Sequence, residues 1–331
     1  MEPFDTKRTR ELSADLDTID QNIHTTHHRF GLSSECALLH TEELYELLAP
    51  EIANADEGDL FSLFSEHIRD KNDLPFSPME AHRSPLQMLF RSLHTAQKIA
   101  LCRALTASEQ MPKDLSLLIE RLYGKQEPSA PQNRGLIAYQ QNIFTDEAYL
   151  HFASWIPRPR ATYNNSFSGV CEQVYNGLCE YCILPLENSQ DGKLLRFYGM
   201  IEKYELKIVL TCNITASDKQ QTTTFGLCAR DLSYLPPLLY GQERGESRFE
   251  FIFRQYNDDL TLGDILNAAQ ACSVRLIRAD CLPRSDEEIM VGAGFPYILS
   301  FDIDGGDFHS FLLFLSMDFA PCLPLGIYRY L

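Results

Sequence analysis

The chain has 331 residues, 44% of them hydrophobic, and a formal charge of −17, which is enough length and apolar content for two or three units with sizeable cores. The acidic surplus repels phosphate backbones and anionic head groups, and no stretch gathers enough Lys and Arg to reverse that sign, so nucleic acid and membrane surfaces are excluded as partners. The start, Met1-Glu2-Pro3-Phe4-Asp5, lacks the basic and apolar regions of a signal peptide, and the apolar run from Phe311 to Leu315 is too short to span a bilayer, so a cytoplasmic chain is expected.

Residues 1 to about 124 carry apolar spacings near 3.6, such as Leu44-Leu47-Leu48 and Leu86-Leu89-Phe90-Leu93, with almost no alternation. They predict an all-helical domain over 1–126. Gly124 to Asn133 is polar, holds Pro128 and Pro131, and reads as a linker.

The period then changes. Leu136 to Tyr139 predicts a strand, Thr145 to Trp155 a helix, Arg160 to Tyr163 a strand, Ser166 to Gly177 a helix and Tyr181 to Leu186 a strand. That β-α-β-α-β run implies a parallel sheet. A helix over Leu194 to Tyr204 and strands over Leu206 to Asn213 and Thr223 to Ala229 complete a lobe spanning 134–235. Over 246–331 the order is strand (Phe249 to Phe253), helix (Leu260 to Ala271), strand (Val274 to Cys281), strand (Tyr297 to Ile303), helix (Phe308 to Ser316) and strand (Leu325 to Tyr330), a βαββαβ, ferredoxin-like plan. The fold class is therefore α/β with an all-helical head.

Cysteines are dispersed and several lie in apolar, strand-like runs, where a thiol behaves as a small hydrophobe, so they are read as reduced and structural. The pair Cys179 and Cys182 stands alone and crosses a helix end, which argues against zinc or redox work. His24, His27 and His28 share a helical face, yet no carboxylate or Cys follows at ligand spacing. No metal and no cofactor are expected.

The stretch from Asn176 to Gly192, with Pro185-Leu186-Glu187-Asn188-Ser189-Gln190-Asp191-Gly192 at its end, resembles prephenate dehydratase, in which a strand ending in Pro-x-Glu-Asn-Ser-x-x-Gly delivers substrate-site residues. Ile137-Ala138-Tyr139, Phe144 to Ala148 and Asn165-Ser166-Phe167 through Val174 are similar to that family's first strand and first two helices. Ala279-Asp280-Cys281-Leu282-Pro283 and Tyr297 to Asp302 resemble the ACT domain that follows it. The resemblance implies substrate contacts from Glu187, Asn188, Ser189 and Phe225, a general acid at Thr223, and effector contacts at Leu260, Asp280 and Cys281. Glu187-Asn188-Ser189 can equally cap the helix that follows, and Asn188 and Ser189 can donate to a carboxylate.

This sequence also departs from the pattern. Thr223-Thr224-Phe225 replaces Thr-Arg-Phe, which removes a bidentate carboxylate clamp. Only Thr215 to Thr222 separates the last strand of the lobe from that Thr, so the family's second lobe is missing. Asp258-Asp259-Leu260 replaces the Gly-Ala-Leu effector loop. Leu89 to Gln97 resembles the last helix of helical chorismate mutases, without the cationic residues that site needs. The expected function is a catalytically reduced, ligand-sensing or scaffolding homodimer joined through the ACT-like unit, with a small carboxylate or amino acid as ligand. The alternative is an active prephenate dehydratase, possessing chorismate mutase activity as well in its bifunctional form.

Overall fold

A computed structural model describes residues 95–107, 135–215, 221–230, 247–254, 261–284, 295–317 and 322–331. Most of the helical head, the boundary near residue 130, the histidine cluster, Asp258-Asp259 and Leu260 lie outside these residues.

The elements in chain order are α1 (Thr95–Ala107), β1 (Leu136–Tyr139), α2 (Ile143–Ala153), β2 (Arg160–Tyr163), α3 (Phe167–Tyr175), β3 (Tyr181–Asn188), β4 (Gly192–Lys193), α4 (Leu195–Lys203), β5 (Lys207–Thr215), β6 (Thr222–Ala229), β7 (Ser247–Phe253), α5 (Leu262–Ala271), β8 (Arg275–Cys281), β9 (Tyr297–Asp302), α6 (Phe308–Met317) and β10 (Cys322–Tyr330). The protein is a mixed α/β structure. The strands of the described residues join one ten-stranded sheet in the order β2-β1-β3-β6-β5-β10-β7-β9-β8, with β4 paired to β3.

Two sequence expectations are corrected. The lobe is not wholly parallel: β1 pairs in parallel with β2 and β3, but β6 runs antiparallel to both β3 and β5. The connection from β5 to β6 is too short for a parallel crossover, which needs a dozen or more residues, so a hairpin is the outcome. Nor are the lobe and the βαββαβ unit separate sheets, because β5 and β10 pair in parallel and make the ladder continuous. Gly326 permits this approach, since a Cβ there would collide with the Ile208 backbone.

Alternation along the strands sorts side chains to two faces. On one face Phe249, Phe251 and Phe253 of β7 join Leu299 and Phe301 of β9 under α5 and α6. Phe251 and Phe301 stack with centroids 5.8 Å apart. The same layer buries α1, whose Ile99, Ala100, Leu101 and Cys102 are all inaccessible. Thr95 donates to Asp264 in the first turn of α5 (2.6 Å), and Thr106 pairs with Ser310 in α6 (2.6 Å). This part of the predicted head therefore belongs to the core of the carboxy-terminal unit. Four consecutive buried residues cannot be satisfied by a one-sided stripe.

The opposite face of the carboxy-terminal unit continues into the layer beneath α3 and α4, where Ile252, Ile298, Leu325 and Tyr328 pack with Leu184, Leu186, Tyr198 and Ile201. In the lobe, α2 covers Ile137, Ile183, Leu227 and Phe225 from the other side. In this layer α4 packs through Tyr198 and Ile201 against strands of both units. β8, at the end of the strand order, comes within contact of the β3–β4 hairpin, where Arg278 reaches Glu187.

Candidate functional site

Two polar sites follow from this layout. The first is a polar shelf running from the ends of β1 and β2 to the β3–β4 turn, several residues further along the sheet. Asn142 caps α2, accepting from the Phe144 and Thr145 amides, while Thr145 returns the contact by accepting from the Asn142 amide, forming a closed capping box. Ser166 caps α3 through the Gly169 amide. Asn188 Oδ1 accepts from the Gln190 and Asp191 amides and its Nδ2 donates to Asp191, which builds the β3–β4 turn. Ser189 Oγ accepts from the Thr222 amide, and Thr223 lies opposite Asn188 in the ladder. The shelf thus unites Asn188, Ser189 and Thr223. The described residues following these strands, 140–142, 164–166 and 189–191, include no Lys or Arg.

The second site is a cavity of about 160 Å³ on the concave face, where the hairpin meets the far edge of the sheet. Lys193 of β4 is its floor. The ammonium pairs with Glu250 of β7, approaches Tyr198 Oη (3.1 Å) and lies 4.0 Å from Asp280 of β8. Ser300 of β9 donates to Glu250 as well, and Tyr198 completes that carboxylate's contacts at 3.2 Å. Lys193 and Glu250 are 5% and 0% exposed at the side chain, so the pair persists only because each lone pair and proton finds a partner. Closer to solvent, Arg278 of β8 spans Glu187 (2.6 Å) and Asp280 (2.8 Å). Tyr330, Thr224 and Arg248 complete the wall.

Both partners of the Arg278–Glu187 pair reach the cavity through an irregularity in the ladder. In β3 the register shifts between Pro185 and Glu187, making Leu186 an extra residue. Glu187 consequently stands opposite Thr224 on the concave face, where strict alternation would place it with Ile183 and Pro185 on the α2 side. In β8 the shift falls between Leu276 and Arg278, so Ile277 is extra and Arg278 stands opposite Ser300. Each is a β-bulge that re-aims a side chain. Gly226 makes room for the first: a Cβ there would lie 2.6 Å from Leu186 Cδ1. Gly192, at φ 73°, takes the left-handed turn beneath the Arg278 guanidinium.

The electrostatics follow from these contacts. Burial works to lower Arg278, but its bonds to Glu187 and Asp280 prevail and hold it above its ordinary value. Burial, then the Glu250 charge, pushes the Tyr198, Tyr328 and Tyr330 phenols up, so they remain protonated donors.

The residues singled out from sequence are therefore divided. Asn188, Ser189 and Thr223 lie on the shelf, whereas Glu187 and Asp280, expected in separate substrate and effector sites, meet at Arg278 in the cavity. Phe225 is buried beneath α2, and Cys281 is exposed at the end of β8. Cys179 and Cys182 are both buried; burial raises the Cys179 thiol. Sequence reasoning missed Lys193, Glu250, Arg278 and Ser300. One signal was present: Glu250 interrupts the apolar run Phe249-Glu250-Phe251-Ile252-Phe253. Among the described residues no group of His, Cys, Asp and Glu is placed to hold a metal ion, and no helix is long and apolar enough to cross a membrane.

The fold and these sites define a mixed α/β protein with a polar shelf and a metabolite-sized cavity. Residues 140–217, from the entry to α2 through β5, match the family model for prephenate dehydratase, and this segment is related to that family. Among solved structures the chain is similar to the prephenate dehydratase of Streptococcus mutans, with 16% identity over 59% of this chain and 98% of that one and a TM-score of 0.47. It is also similar to the prephenate dehydratase of Arthrobacter aurescens solved in complex with L-Phe, with 14% identity over 58% and 89% of the two chains and a TM-score of 0.44. A third is GqqA, described as a novel type of quorum-quenching acylase, with 17% identity over 59% and 94% and a TM-score of 0.44. No curated protein matches the chain.

Proposed function

We propose that this chain is a catalytically reduced relative of prephenate dehydratase, acting in aromatic amino-acid metabolism as a ligand-sensing or scaffolding protein. The observation that carries this reading is the shelf. Converting prephenate to phenylpyruvate requires a proton for the departing hydroxyl and fixed donors for two carboxylates in a water-excluding cleft. Thr223 lies opposite Asn188 in the ladder, but the Phe144, Thr145 and Gly169 amides are taken by Asn142 and Ser166, and residues 140–142, 164–166 and 189–191 supply no cation. A dianion there would find no guanidinium or ammonium among these residues and would meet the Asp191 carboxylate, bonded to Asn188, as a like charge.

The βαββαβ unit supports an ACT-like reading with pairing between protomers. Among the described residues β8 is paired on one side only, and such an edge invites a second strand. Light scattering on the full chain reads the mass directly, and a monomer at working concentrations removes the homodimer.

The catalytic question is decided by incubating the chain with prephenate at neutral pH and following phenylpyruvate. The expected result is no turnover above the uncatalysed rate. Turnover that disappears in Thr223→Ala establishes the active dehydratase instead.

A further inference from the structure

We propose that the cavity between the β3–β4 hairpin and β8 binds a small zwitterionic amino acid, its carboxylate taken by Arg278 and its ammonium by Glu187. The proposal stands whether or not the shelf catalyses, because it rests on a different set of residues on the other face of the lobe.

Size comes first. The cavity holds about 160 Å³ and is open to solvent on one side. That is room for a small ligand such as an amino acid with a short side chain.

Charge selects further. Lys193, Arg248 and Arg278 are balanced by Glu187, Glu250 and Asp280 around the space. A lone carboxylate entering beside Arg278 would displace Glu187 and leave it uncompensated, and a lone ammonium would do the same to Arg278. A zwitterion exchanges partners without stranding either charge. The Arg278 Nη1 released from Glu187 turns to the ligand carboxylate while Glu187 receives the ligand ammonium. Arg278 stays oriented through Nε, which donates to Asp280 at 2.9 Å. Tyr330, kept protonated, offers a second hydroxyl donor.

The construction of the pair points the same way. Arg278 and Glu187 are 37% and 35% exposed, and an ion pair so open to solvent contributes little to folding. Yet two separate bulges, with Gly226 cleared for one of them, are needed to place both groups on the concave face. Two interruptions of the ladder for a weak pair are explained when the pair serves a ligand, and bulges gather next to such sites. Beneath it, the buried Lys193–Glu250 pair forms a fixed floor that the ligand need not disturb.

The test uses the full chain, with thermal shift and calorimetric titration against glycine, L-alanine and L-serine as zwitterions, acetate and propionate as carboxylates, and ethylamine as an ammonium. At least one zwitterion is expected to bind at a single site and raise the unfolding midpoint, while the singly charged probes do not. Arg278→Gln and Glu187→Gln are each expected to weaken that binding roughly tenfold or more, the loss of one charge-assisted hydrogen bond, with far-UV circular dichroism unchanged. Acetate binding as tightly as the amino acids overturns the proposal, as does no response to any zwitterion at millimolar concentration. Binding unaffected by Arg278→Gln overturns it too. If a variant fails to fold, the probe series on the unmodified chain still decides.

Discussion

The shelf at the strand ends and the cavity at the joint use the same stretch of β3 for opposite purposes. On the shelf, polar groups satisfy one another locally: Asn142, Ser166 and Asn188 each bond to amides no more than three residues away. In the cavity the bonds are long-range, with Lys193 reaching Glu250 across 57 residues and Arg278 reaching Glu187 across 91. Local bonds stabilise turns and helix starts. Long-range charge pairs leave ionic groups that can change partners. Within the family-related motif, Asn188 and Ser189 build the turn while Glu187 faces the cavity.

The largest way to break this contrast is at the floor of the cavity. Lys193→Met leaves fully buried Glu250 without its cation, a loss expected to be about 3–5 kcal/mol, whereas adding Glu250→Gln should recover much of it. Urea unfolding of the single and double variants measures both. Gly226→Ala is next, since its Cβ would press on the bulged Leu186; overpacking of this kind costs about 1–3 kcal/mol. Any zwitterion affinity should fall with it, because Leu186 and Glu187 move together. On the shelf, Asn142→Ala removes one cap and is expected to cost about 1 kcal/mol without altering ligand binding in the cavity. A change in cavity affinity in that variant would show that the two sites are coupled.

The smallest effect concerns pH. Tyr198, Tyr328 and Tyr330 have folded pKa values above their unfolded ones, so they bind more protons when folded. Their contribution is fully present below the unfolded tyrosine value, about 10, and is lost as pH rises through the folded values. The share of phenolate absorbance from these three should therefore appear only together with unfolding above that pH. Glu250→Gln, which removes a charge that raises all three, should let it appear earlier.

Secondary structure was legible in the sequence to within a few residues for most elements, because alternation and 3.6-residue spacing are local. The strand Arg160–Tyr163 and the βαββαβ succession are examples. The joint was not legible. Parallel pairing of β5 with β10 is marked only by Gly326, whose meaning shows once Ile208 lies against it, and Glu187 read by simple alternation lands on the wrong face because the extra residue at Leu186 is invisible without its partner strand. The motif identified the right segment but not the direction in which its carboxylate points. The burial of α1 beside α5 and α6 was likewise hidden, since its run of apolar residues says that it is covered but not by what.

The two bulges have a consequence for how this site passes between related chains. A strand is a two-beat rhythm, and one extra residue is a phase error that persists from that point onward. Glu187 and Arg278 face each other because two such errors, at Leu186 and Ile277, occur in the same molecule. The cavity is therefore encoded by strand length as much as by residue identity. A relative that keeps Glu and Arg but lacks either extra residue would have lost the site, and the sign of that loss is a single-residue gap rather than a substitution.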